Sequence, residues 1–149
     1  MIKDKKVLVN ILARAGSTGV KDKNIADVGG NPVLWYSVTE ALKSKYADAI
    51  CVSTDSEKYA KVAEDAGVKV PFLRAAEYST KSSTAADASK WTTLEYEKHS
   101  KENYEYIVDF MNSNPFKIVD DLDRCIEILN ENDNADTVVA VNRVWDGHP

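Results

Sequence analysis

The chain has 149 residues, 44% of them hydrophobic and 29% charged, with a formal net charge of −5. That is about one domain with enough chain to bury a core, and the acidic balance argues against nucleic acid or a membrane surface as partner, since both draw on a basic excess. Cys51 and Cys125 fit no metal-ligand spacing and read as reduced core thiols; no apolar run reaches membrane-span length, and MIKDKK leads into no signal-peptide core, which makes the cytoplasm the expected compartment.

Val7 to Leu12 is short, β-branched and mostly apolar, as a buried strand would be. The loop behind it, Leu12 to Asn24, holds Gly16 and Gly19 with Arg14, Lys21 and Lys23. Glycines let backbone amides approach an anion, and the cations supply positive charge. A short strand is expected at Ile25 to Val28, then a Gly29-Gly30 turn into a helix with Asn31 as N-cap and Pro32 in its first turn, running to about Ser44 with Leu34, Val38, Ala41 and Leu42 on one face. Ala49 to Ser53 reads as a strand, and Tyr59, Val62, Ala63 and Ala66 as a helical stripe that Gly67 ends. Val68 to Phe72 is expected as a third strand and Arg74 to Lys81 as a loop. Thr84 followed by Asp87 starts a helix that continues to about His99, with Trp91 and Leu94 as a modest apolar face. Tyr106 to Met111 reads as a strand, Asn112 to Pro115 as a turn, Val119 to Leu129 as an amphipathic helix, and Thr137 to Val141 as a last strand.

Strands and helices in alternation, with apolar strands, predict an α/β fold around a mostly parallel sheet covered on both faces, in one domain spanning 1–149. Ligands of such sheets sit outside the carboxyl ends of the strands. Arg14 to Ser17, Ser53 to Asp55 and Asn112 to Asn114 each follow the last apolar residue of a strand, so they are expected at one rim.

Each of these groups also has a plainer use. Ala13 to Gly19 is neither a Walker loop nor the three-glycine Rossmann fingerprint, and a glycine-bearing βα loop often only turns the chain. Arg14 and Lys23, bracketing it, favour phosphate, because a guanidinium fork matches phosphate oxygens and an ammonium is a compact charge. Asp55 would serve as the cap of the next helix, Arg74 as a surface partner of Glu77, and Ser82, Ser83 and Thr84 as helix-capping hydroxyls. His99 reads as a solvated residue near a helix C-terminus, His148 carries little information, and Trp35, Tyr36 and Trp91 read as core.

In order, LARAGSTGVKDKNI, GGNPVLWYSVTEAL, ICVSTDS, the Arg74 to Thr84 loop and YIVDFMNSNPF resemble the acylneuraminate cytidylyltransferases, the family of CMP-sialic acid and CMP-Kdo synthetases. The resemblance implies a three-layer α/β/α Rossmann-like nucleotidyltransferase fold. It also implies transfer from CTP to a 2-keto sugar acid, giving the CMP-sugar and pyrophosphate with Mg²⁺. The site it implies has Arg14 and Lys23 as catalytic cations, a nucleotide-binding set of Ala13, Gly16, Ser17, Asn24, Asp55, Arg74, Ser82, Ser83 and Thr84, and Ser113 beside the sugar; it assigns no metal ligand within this chain. The departures are Thr18 for a lysine, which Lys21 could replace, Met111 for a glutamine and Lys81 for an aspartate. The family chain continues past a His-Pro like His148-Pro149 into a segment that helps form a homodimer and supplies acidic metal ligands, so the domain is expected to be C-terminally incomplete. Two alternatives stay open: a nucleotide-binding or interaction module of the same fold without full activity, and a sugar nucleotidyltransferase that uses another base.

Overall fold

The computed structural model describes residues 1–16, 19–80 and 82–141. In chain order it runs β1 (Val7–Leu12), β2 (Asp27–Val28), β3 (Asn31–Pro32), α1 (Val33–Ala41), β4 (Ala49–Ser53), α2 (Glu57–Asp65), α3 (Ala85–Ser100), β5 (Tyr106–Asp109) and α4 (Val119–Glu131), with 3-10 turns at Lys23–Ile25 and Ala76–Tyr78. Ser17, Thr18, Lys81, His148 and Pro149 lie outside the described residues.

β1 is the middle strand of a parallel sheet in the order β4-β1-β5, with Val9 opposite both Ile50 and Val108. Side chains alternate across a strand, and β1 uses both faces. Val7, Val9 and Ile11, all fully buried, pack against Leu34 and Val38 of α1, Tyr59 and Ala63 of α2, and Leu122 and Ile126 of α4. Each such buried aliphatic side chain contributes about 1.5–3 kcal/mol. On the opposite face Leu8 joins Cys51 and Tyr104. There Asn10 Nδ2 donates to Ser89 Oγ and Thr93 Oγ1 of α3 at 3.2 and 3.0 Å, and Ser53 Oγ meets Thr92 Oγ1 at 2.6 Å. Helices therefore cover both faces, as expected of a three-layer α/β fold. Cys51 is wholly buried, and burial pushes its thiol up to about 12; Cys125, expected in the core, is only half-buried on α4.

The local expectations hold at β1, β4 and the start of α3, where Thr84 Oγ1 accepts the Asp87 N–H at 3.0 Å. Gly67 ends α2 at φ +108 as expected. Other expectations are corrected. Gly29 and Gly30, both at positive φ, form the two-residue turn of a β2–β3 hairpin, so Asn31 and Pro32 are strand residues and the extended Pro32, not Asn31, precedes α1. α1 ends at Ala41, leaving Leu42 48% exposed, because Ser44 turns its hydroxyl to Asp123 and to the Tyr46 and Ala47 amides. Ile25 lies in a 3-10 turn and only 27–28 pair.

Val68 to Phe72 forms no strand; Pro71 has no N–H to give a ladder, and Phe72 instead packs edge-on to Trp91. α3 buries Ala88, Ser89 and Thr92 rather than Leu94, which is 47% exposed. β5 stops at Asp109. Among the described residues Thr137 to Val141 pairs with no strand, and with Val139 and Val141 71% and 84% exposed it lacks the burial that would fix one.

Candidate functional site

The chain leaves β1 for β4 on one side and later returns as β5 on the other. The strand order therefore reverses beside β1, the position where open α/β sheets leave a crevice outside their carboxyl ends. The loop after β1 is tied to the end of β4. Ala13 N–H donates to the Ser53 carbonyl at 2.9 Å, and Ala15 N–H to Asp55 Oδ1 at 2.8 Å. The expectation that Asp55 caps α2 is not met: Ser56 holds that position, and the carboxylate closes the β1 loop.

Arg74 is not a surface partner of Glu77. It is 6% exposed, its Nη2 donates to the Ser53 carbonyl at 2.9 Å and its own N–H to the Thr54 carbonyl at 2.7 Å. Burial lowers its pKa, Asp55 opposes that fall and Arg14 adds to it, while its Nε has no partner among the described residues.

A cleft of about 270 Å³ opens at this rim, lined by Leu12, Arg14, Lys23, Asn24, Arg74, Tyr78, Thr80, Ser83, Thr84, Ala85, Ala88, Met111, Asn112 and Ser113. Of the residues singled out in the sequence it gathers Arg14, Lys23, Asn24, Arg74, Ser83, Thr84 and Ser113. Ala13, Gly16, Asp55, Ser82 and Lys21 are not among the residues that line it, and Gly16 turns the loop at φ +76. Ser17 lies outside the described residues. Arg14 reaches across to the Thr80 carbonyl through Nη1, whereas the exposed Lys23 ammonium makes no hydrogen bond or ion pair among the described residues. Asn24 Nδ2 donates to the Arg14 carbonyl at 2.9 Å and Asn112 Nδ2 to Asn24 Oδ1 at 3.0 Å. On the far side Thr80 Oγ1 meets Ser83 Oγ at 2.7 Å and Ser82 Oγ at 3.0 Å, and Ser83 Oγ donates to the Glu77 carbonyl at 2.9 Å.

Sequence reasoning missed Tyr78, whose ring stacks on Trp91 at 5.5 Å, and Thr80, two residues before the hydroxyl cluster that was noticed. Proximity to that cluster was the signal available for both. Chemically, two cations, a buried guanidinium, two amides and several hydroxyls in one open cleft suit a polyanion carrying a polar ring system. Among the described residues there is no group of three His, Cys, Asp or Glu that could hold a metal, and no carboxylate lines the cleft. Those residues do not by themselves form a magnesium site. Among the described residues no helix is long and apolar enough to cross a membrane.

A three-layer α/β fold with a cationic, hydroxyl-lined cleft at the carboxyl ends of parallel strands has the architecture of the nucleotide-binding α/β domains. The chain belongs to the cytidylyltransferase family, whose model matches residues 8–148, and the resemblance to the acylneuraminate cytidylyltransferases read from its motifs is borne out. It is 33% identical over 140 residues to post-translational flagellin modification protein B of Campylobacter coli, covering 93% of this chain and 60% of that protein. It is 34% identical over 110 residues to CMP-N,N'-diacetyllegionaminic acid synthase of Campylobacter jejuni, covering 74% and 47%. The solved structure of CMP:2-keto-3-deoxy-manno-octonic acid synthetase complexed with CTP matches at a TM-score of 0.70 and 17% identity, covering 87% and 49%, a likeness of fold alone. The chain thus spans about half the length of the relatives it matches.

Proposed function

We propose that the cleft binds CTP and that the whole protein transfers its cytidylyl group to a 2-keto sugar acid of the sialic or legionaminic type. The observation that carries this is the convergence of Arg14, Lys23, Asn24 and Arg74 with the Ser83 and Thr84 hydroxyls in one cleft at the sheet's carboxyl rim, in a chain of the cytidylyltransferase family. The anomeric hydroxyl of the sugar acid attacks the α-phosphorus in line. A new P–O bond forms, the bond to the β-phosphate oxygen breaks, pyrophosphate takes that electron pair, and the hydroxyl proton passes to solvent. Such a transfer needs positioning and charge stabilisation more than a nucleophilic side chain. Arg14 and Lys23 are assigned to the β and γ phosphates, Asn24, Arg74, Ser83 and Thr84 to the nucleotide, and Ser113 to the sugar side.

Magnesium belongs to the proposal as an ion that arrives on the triphosphate, the way Mg²⁺ commonly binds, with phosphates supplying ligands. A homodimer is likewise carried over from the family resemblance, and the cytoplasm remains the proposed compartment. Met111, apolar and 54% exposed at the lip of the cleft, favours a second reading, a nucleotide-binding module without turnover.

Pyrophosphate release with CTP and a panel of sialic, legionaminic and Kdo-type acids separates the two, and competition among CTP, UTP and GTP fixes the base. Replacing Arg14 with Ala should lower turnover by about 10²–10³-fold, as loss of a transition-state charge partner does. Near-normal kinetics in that variant would remove Arg14 from the phosphate site.

A further inference from the structure

Behind the cleft, a line of side chains runs from a half-buried cation to the loop that carries Arg14. Lys117 Nζ donates to Ser37 Oγ at 3.0 Å and to the Met111 carbonyl, and lies 4.3 Å from the centre of the Phe110 ring. Ser37 Oγ donates to Asn112 Oδ1 at 2.8 Å, Asn112 Nδ2 to Asn24 Oδ1 at 3.0 Å, and Asn24 Nδ2 to the Arg14 carbonyl at 2.9 Å. Ser37, Asn112 and Asn24 are 1%, 2% and 7% exposed, so water does not complete these bonds in their stead. An ammonium can only donate, and a peptide carbonyl can only accept. With a donor at one end and an acceptor at the other, the hydroxyl and both amides between them have a single orientation. Lys117 lines the neighbouring groove rather than the cleft, so whatever it does for the cleft it does through these residues.

We propose that Lys117 is a positioning residue of the cleft, which through Ser37 and Asn112 fixes the Asn24 amide and the Arg14 peptide so that the loop cations meet the triphosphate in a set geometry. This rests on the reading of the cleft as a CTP site. The titratable groups that share the groove with Lys117 are Tyr106 and Asp109 of β5, Asp121 and Cys125 of α4 and Asp136 beyond α4, and Glu40 of α1 accepts the Val119 N–H two residues on. Among the described residues none forms an ion pair with Lys117, and burial draws its pKa down to about 8. It is charged at neutral pH and neutral above that value. A neutral amine accepts as well as donates, so above pH 8 the polarity of the line is no longer imposed from this end.

The test is calorimetric titration of CTP into the wild-type protein and the K117M, K117R and S37A variants. It is joined by exchange rates of the Asn24 and Asn112 side-chain amide protons, read by NMR. K117M and S37A should each weaken CTP about tenfold, the loss of one buried hydrogen bond, K117R should stay within about threefold of wild type, and wild-type affinity should fall above pH 8 while that of K117R does not. S37A cuts the line without touching the cation, so it decides the matter if K117M does not fold. Wild-type affinity in S37A, or in a folded K117M, overturns the proposal. If the wild-type protein takes up no CTP, the nucleotide reading fails, and the amides decide the proposal separately. Amide exchange in S37A as slow as in wild type overturns the proposal, and exchange at free-amide rates supports it.

Discussion

On its inner wall the cleft is built from Asn24, Arg74 and Asn112, each less than a tenth exposed and bonded to groups 10 to 88 residues away in sequence. On its outer wall Thr80 and Ser83 bond to each other, Thr80 to Ser82 behind the wall and Ser83 to Glu77, all within six residues, near the surface. The inner wall is a product of tertiary structure: the same bonds that shape it also join β1, β4, α1 and the segment after β5. Its loss should damage stability and binding together. The outer wall is a local loop, and its hydroxyls can be removed with the fold left standing. Buried polar groups lose the full desolvation cost when one partner goes, whereas exposed ones turn to water.

The strongest way to break this contrast is Asn112→Ala, which leaves the Ser37 hydroxyl proton without an acceptor and Asn24 Oδ1 without a donor. It should lower stability by about 2–3 kcal/mol in urea unfolding, and a loss under about 0.5 kcal/mol would mean that the inner wall is not a stability element.

A smaller effect is expected from pH. The folded-state pKa of Lys117 is about 8, below its ordinary 10.5, so between those values the unfolded chain binds more protons than the folded one. The wild-type protein should then gain stability relative to K117M as pH rises from 8 to 10.5, and have no such gain below 8. A difference between the two that stays flat across that window would show the ammonium to be solvated.

Thr84→Ala removes the cap of α3, where the outer wall joins a helix, and should cost about 1 kcal/mol. Thermal unfolding reads this directly; an unchanged melting temperature would mean that Asp87 alone holds the helix start. Ser83→Ala should stay within about 0.5 kcal/mol of wild type in stability while weakening CTP about threefold. A stability loss as large as that of Asn112→Ala would erase the distinction between the walls.

The same contrast explains what could be read from the chain beforehand. β1, β4, the start of α3 and the Gly67 stop depend on near neighbours, and their patterns were visible. Thr84 with Asp87 is a three-residue relation. The cations at Arg14 and Lys23 stood out because the β1 loop concentrates charge within ten residues. Ser37, Asn112 and Lys117 meet across 75 and 80 residues, and nothing local marks Ser37 within a helix or Asn112 within a turn. Val68 to Phe72 and Thr137 to Val141 had strand-like composition, but a strand also needs a neighbour in register, which composition does not report. For Arg74 the sequence left a surface pairing with Glu77 beside the nucleotide-binding role, because its burial comes from the Ser53 and Thr54 carbonyls of another segment.

The wholly buried Cys51 in β4 gives the molecule a chemical clock. A thiol held near pKa 12 has almost no thiolate at neutral pH, so a thiol reagent should leave it untouched while the native sheet is closed and take Cys125 first. The rate at which Cys51 is labelled then counts openings of the sheet. A ligand seated at the carboxyl rim of β1 and β4 should slow that clock by the factor its binding adds to the folded state, which makes nucleotide binding measurable without any turnover.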